Sequence, residues 1–97
     1  MTEPVICLGE CLVDRLFEVG QNYQNSSEQG TDYPGGAPAN VAAAIAKLGT
    51  PTRMVSCLGQ DEVGDWLIQV LKDQGVACQI QRYADAPTRI VLVERDE

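Results

Sequence analysis

The sequence has 97 residues, 44% of them hydrophobic, with 14 acidic and 7 basic residues and a formal charge of −7. That length fits one small domain or part of a larger one, and the hydrophobic share excludes a chain disordered by composition. The acidic excess opposes both a nucleic-acid backbone and an anionic membrane surface, so neither is an expected partner.

In chain order, PVICLG (residues 4–9) is short, apolar and closed by glycine, which predicts a buried strand. The N-terminal MTEPVICLGE carries an acid where a secretory signal has bases, and no apolar run approaches the roughly 18 residues that span a bilayer. A cytoplasmic location follows as the expectation. LVDRLFEV (12–19) continues extended, with Asp14, Leu16 and Glu18 on one face and Arg15, Phe17 and Val19 on the other. GQNYQNSSEQGTDY (20–33) is polar and rich in Gly, Asn and Ser, and reads as a loop or wide turn. A helix is predicted from Pro38 to Leu48, with Val41, Ala44, Ile45 and Leu48 as its apolar stripe and Gly49 and Pro51 as its stop. TRMVSCL (52–58) reads as a core strand. Asp61 is placed to cap a second helix over 62–74, striped by Val63, Trp66, Leu67, Val70 and Leu71, with Trp66 as a core anchor. CQIQRY (78–83) is expected as an edge or half-exposed strand and TRIVLVE (88–94) as a further strand. Strands alternating with helices imply parallel βαβ units, whose sheet needs helices on both faces. Two helices hardly cover both faces of four or five strands.

The residues with chemical potential cluster at the start of the first helix. Gly35-Gly36 allows a ligand close to the backbone, although the pair alone reads more simply as a tight turn. Asn40 offers a donor and an acceptor in the first helical turn, where helix propensity does not recommend it; a solvent-facing role is an equal alternative. Asp14 can accept from two adjacent hydroxyls, though taken alone it is more simply a surface acid. Cys7, Cys11, Cys57 and Cys78 show no CxxC spacing and histidine is absent, so no metal site is expected; Cys7, Cys57 and Cys78 read as reduced core residues. No phosphate-binding glycine loop, dinucleotide fingerprint or nucleophile elbow occurs. These residues suit a binding half-site better than a complete active site.

Four stretches together carry a resemblance: GECLVD (9–14), PGGAPAN (34–40) with its alanine-rich helix to Gly49, LGQDEVG (58–64), and APTRIVLV (86–93). They resemble the N-terminal part of the ribokinase-like (PfkB) carbohydrate kinases, the fructokinase branch most closely, over nearly the whole chain. The resemblance implies a Rossmann-like α/β sandwich with small β-lid strands near 12–19 and 88–94. It implies that Asp14, Gly35, Gly36 and Asn40 bind the sugar. It further implies transfer of the ATP γ-phosphoryl to a primary hydroxyl, most simply of fructose, with Mg²⁺ and a stimulating monovalent cation such as K⁺. A homodimer paired through the lid also follows from it. The family's catalytic base lies in a Gly-Ala-Gly-Asp-type motif of the C-terminal half. This sequence contains no such motif, so residues 1–97 are expected to be the sugar-binding part of a longer kinase, inactive alone, with no catalytic residue of their own. The alternatives are a non-catalytic sugar-binding or regulatory relative, and a family kinase for a nucleoside or keto-deoxy sugar acid.

Overall fold

The computed structural model describes residues 3–21 and 30–95. Its elements run β1 (Val5–Leu8), β2 (Leu12–Phe17), β3 (Thr31–Gly35), α1 (Ala37–Lys47), β4 (Thr52–Gly59), α2 (Glu62–Asp73), β5 (Ala77–Tyr83) and β6 (Ile90–Glu94). The core sheet is parallel with order β1-β4-β5. A second sheet has order β3-β2-β6, with β2 antiparallel to β3 and parallel to β6. The βαβ organisation expected from the alternating elements is therefore present, with the extra sheet beside it.

Register fixes which residues meet. Cys7 pairs with Met54 and Met54 with Cys78, so one face of the core sheet presents these with Leu58 and Ile80. Ala39 and Ala42 of α1 and Leu67 and Leu71 of α2 pack into the same cluster. Both helices thus cover one face. The opposite face carries Ile6, Leu8 and Cys57, with Ile6 60% and Leu8 74% exposed. Parallel strands are ordinarily buried on both sides, so this face is half of an interior.

Several sequence expectations shift. The stripe of α1 is not Val41, Ala44, Ile45 and Leu48: Ala39 and Ala42 are buried, whereas Val41 and Leu48 are exposed. The small alanine face lets the helix lie close on the sheet, and the bulky face is left outside. Trp66 is 38% exposed and not a core anchor; Leu67 and Leu71 anchor α2 instead. Cys57 is exposed and Cys78 half-buried, because strand alternation turns Cys57 away from the helices. The strand expected over 12–19 ends at Phe17, and that over 88–94 begins at Ile90. Thr31–Gly35, expected partly as loop, is a strand: Arg15 donates to Asp32 through Nε (2.6 Å) and Nη2 (3.0 Å), fastening polar residues into the β2–β3 ladder. Pro34 is tolerated because β3 lies at the sheet edge. Residues 22–29, the centre of the expected loop, lie outside the described residues.

The two sheets are joined by a polar clamp at the β4–α2 turn. Asp61 caps α2, accepting from the Gly64 N–H at 2.7 Å. The same carboxylate accepts from the Thr88 N–H at 2.8 Å and its hydroxyl at 2.7 Å, just before β6. The Thr88 hydroxyl also accepts from the Gly59 N–H at 3.1 Å. Arg82 donates to the Gly59 carbonyl at 2.8 Å and to Asp65 at 2.9 Å. A Cβ at Gly59 would lie 2.6 Å from the Ala86 carbonyl, and one at Gly64 2.7 Å from the Gly59 carbonyl, so the clamp closes only around bare backbone.

Burial opposes the Asp61 charge, but bonds from the Thr88 hydroxyl and N–H, the Gly64 N–H and the nearby Arg82 outweigh it and hold its pKa below the ordinary value. A depressed carboxylate contributes stability that is complete above the unfolded-state value near pH 4 and is lost as pH falls through the folded value. Asp61→Asn is therefore expected to lower stability at neutral pH and to flatten the decline in stability between neutral pH and about pH 3, read by denaturant titration across that range. An unaltered pH dependence would contradict the role given to the carboxylate. The open sheet face generates a second expectation: residues 1–97 produced alone self-associate, with sedimentation rising with concentration, and exchanging Leu8 for Lys reduces it.

Candidate functional site

The expected site residues fall on three elements: Asp14 on β2, Gly35 and Gly36 at the end of β3, and Asn40 in the first turn of α1. Asp14 sits mid-β2, directly opposite Tyr33 of β3 and Val91 of β6, so the three share one face of the second sheet. Gly35 ends β3 opposite Leu12, diagonal to Asp14. A Cβ at position 35 would abut the Asp14 Oδ2 and stand 2.8 Å from both the Asp14 Cγ and the Leu12 Cδ1. The glycine thus leaves the space in which the carboxylate rests. Among the described residues, none donates a hydrogen bond to the Asp14 side chain.

Gly36 turns the chain from β3 into α1 with φ 95°, a value glycine adopts readily and other residues rarely. A Cβ there would meet the Glu10 carbonyl at 2.7 Å, so the turn crosses tightly over the β1–β2 link. The helix has no side-chain cap and no acid in its first turn, so among the described residues no carboxylate or hydroxyl partners its first N–H groups. Asn40 enters through its backbone, its N–H donating to the Gly36 carbonyl at 3.0 Å. Its side chain is exposed and makes no hydrogen bond to another described residue. The structure thus joins Asp14 to Gly35 by direct contact and Asn40 to Gly36 by the first helical turn. It gives no direct contact between Asp14 and Asn40.

A cavity of about 200 Å³ lies next to this group, between the ends of β1 and β4 and the approach to β6. Its lining is mostly apolar and includes Cys11, Leu12, Leu58, Tyr83 and Pro87, but not the four expected residues. Burial, then the neighbouring Cys78, pushes the Cys11 thiol up to about 11, so it is a neutral wall at physiological pH and not a nucleophile. Burial likewise raises Cys78. No group of three or more His, Cys, Asp or Glu placed to hold a metal ion occurs among the described residues. None of the described helices is long and apolar enough to cross a membrane.

Tyr33 and Val91 are additions to the site that sequence reasoning did not single out. Tyr33 falls in the stretch expected as a loop, and Val91 in the strand expected to share the lid with 12–19. Only the pairing of Asp14 with Tyr33 and with Val91, far apart in the chain, shows that both flank it.

A family model described as pfkB family carbohydrate kinase matches residues 2–97. The chain is 38% identical to the bifunctional protein HldE of Pseudomonas syringae pv. tomato, over 92% of this chain and 20% of that protein. It is 37% identical to fructokinase-2 of Zea mays, over 95% of this chain and 28% of that protein. Its fold superposes on aminoimidazole riboside kinase from Salmonella enterica, solved with aminoimidazole riboside and an ATP analogue. That match has a TM-score of 0.79 and 33% identity, over 94% of this chain and 29% of that one. The chain therefore spans less than a third of the length of each of these relatives. The family match spans both the Asp14 junction and the Asp61 clamp, and the chain belongs to the pfkB family of carbohydrate kinases.

Proposed function

We propose that residues 1–97 form the sugar-binding part of a longer ATP-dependent kinase that phosphorylates a primary hydroxyl, with fructose as the first substrate to test. The observation that carries this reading is an unengaged carboxylate, Asp14, seated against the bare backbone of Gly35 beside an uncapped helix start. An ionised carboxylate accepts from two neighbouring hydroxyls, and such charge-assisted bonds orient a polyol more firmly than neutral ones. Asn40 supplies a donor and an acceptor from the first turn of α1, and Gly36 keeps the backbone accessible between them. Tyr33 and Val91 flank the carboxylate on the same face of the sheet.

Phosphoryl transfer rests on positioning and charge stabilisation around the phosphates. Among the described residues no group of three or more His, Cys, Asp or Glu is placed to hold Mg²⁺. In this reading ATP, Mg²⁺, a K⁺-like ion and the catalytic base belong to the C-terminal half. The fragment alone is then inactive. Residues 1–97 would contribute orientation of the acceptor hydroxyl. The likeness to maize fructokinase-2 supports fructose, and the likeness to a riboside kinase makes nucleosides the second substrate class to assay.

A coupled ATP assay on the complete protein with fructose, other hexoses, nucleosides and keto-deoxy sugar acids tests the reading. Turnover of none of them would remove it. Asp14→Ala is expected to weaken sugar affinity by about 1.5–3 kcal/mol, roughly 10- to 150-fold in Kd, by titration calorimetry. Gly35→Ala is expected to cost nearly as much, because its methyl group displaces that carboxylate. The double variant should be little worse than either single one, since both remove the same interaction. Fully additive losses would separate the two residues.

A further inference from the structure

We propose that Thr88, held by Asp61, is the pin that positions the β3-β2-β6 sheet, and with it Asp14, over the core sheet. This rests on the reading of Asp14 as a sugar ligand. Three covalent crossings join the two sheets: the β1–β2 link, the Gly36 turn and the β5–β6 segment. The third runs across the β4–α2 turn and is tied to it. Thr88 is buried, and its N–H and hydroxyl both donate to the Asp61 carboxylate, at 2.8 and 2.7 Å. Its hydroxyl oxygen also accepts from the Gly59 N–H.

The path from this pin to Asp14 is short. The carbonyl of the next residue, Arg89, accepts from the Val13 N–H at 3.0 Å. Val13 precedes Asp14, and two residues beyond Arg89 lies Val91, the strand partner of Asp14. From Thr88, the peptide to Arg89, one interstrand bond and the step from Val13 therefore lead from the clamp to the ligand-facing carboxylate. Two charge-assisted bonds to a carboxylate that is itself fixed by Gly64 and neighboured by Arg82 leave Thr88 little freedom. Thr88 and Asp61 are positioning residues: they act through the backbone of β6 and β2 and do not touch the substrate.

The test uses the complete protein with Thr88→Val and Thr88→Ser. Valine keeps the shape and removes the hydroxyl, leaving the Gly59 N–H without its acceptor; serine restores the hydroxyl. Thr88→Val is expected to raise the KM for sugar at least about tenfold with the KM for ATP unchanged, and Thr88→Ser to stay near wild type. Hydrogen exchange followed by mass spectrometry supplies a readout independent of activity. In Thr88→Val the β2 and β6 peptides should exchange at least about tenfold faster while the α1 and β4 peptides keep their protection. Exchange that rises uniformly along the chain, or not at all, overturns the proposal. So does a lowered melting temperature with an unchanged sugar KM. If Thr88→Val does not fold, Asp61→Asn carries the same two readouts, since it keeps an acceptor for Gly64 and loses the charge. Should the wild-type protein phosphorylate no sugar or nucleoside, the proposed function falls and the exchange pattern alone decides the pin.

Discussion

Asp61 stands where two differently built sheets meet, and its carboxylate faces donors from both. The Gly64 N–H approaches from the first turn of α2, and the Thr88 N–H and hydroxyl approach from the strand that leads into the second sheet. An ion taking bonds from several directions is hard to satisfy any other way, because moving it toward one donor lengthens another. This constraint explains the glycines at 59 and 64. Both occupy places where a methyl group would press on backbone or on the clamp's own side chains. Arg82 completes the arrangement through the Gly59 carbonyl and adds little through its exposed partner Asp65. Without this group, the second sheet would be held to the first by packing and chain connectivity alone.

Much of this was legible in the residues. Asp61 before a helical stripe announced its cap, the Gly-Gly turn into Pro38 placed the start of α1, and alternation in CQIQRY predicted its half-exposed strand. These signals are local, and local geometry decides them. The failures are equally physical. Periodicity placed Val41 and Leu48 inside because it counts apolar residues and cannot tell a helix seated on its small face from one seated on its large face. The strand at Thr31–Gly35 was hidden because Asp, Pro and Gly have poor strand signals, and pairing with β2 supplied what composition did not. The second role of Asp61 spans 27 residues to Thr88, a distance over which pattern reasoning has no reach. Asp14 and the glycines were identifiable as candidates; that Gly35 makes room for Asp14 needed coordinates.

The division of labour between the sheets follows from their exposure. The parallel sheet buries Met54, Leu67 and Leu71 behind two helices and is the rigid part. The second sheet carries Asp14 on one face and bonds to the first mainly near its Thr88 end. A carboxylate presented on such a sheet is placed accurately at one end and given latitude at the other.

The placement of Trp66 has a practical corollary. The sequence contains a single tryptophan, and it lies on α2 away from the Asp14 junction, partly open to solvent. The intrinsic fluorescence of these 97 residues is consequently a one-point probe of the outer flank of that helix. Its emission maximum will shift to the blue when another element docks there and removes the indole from water.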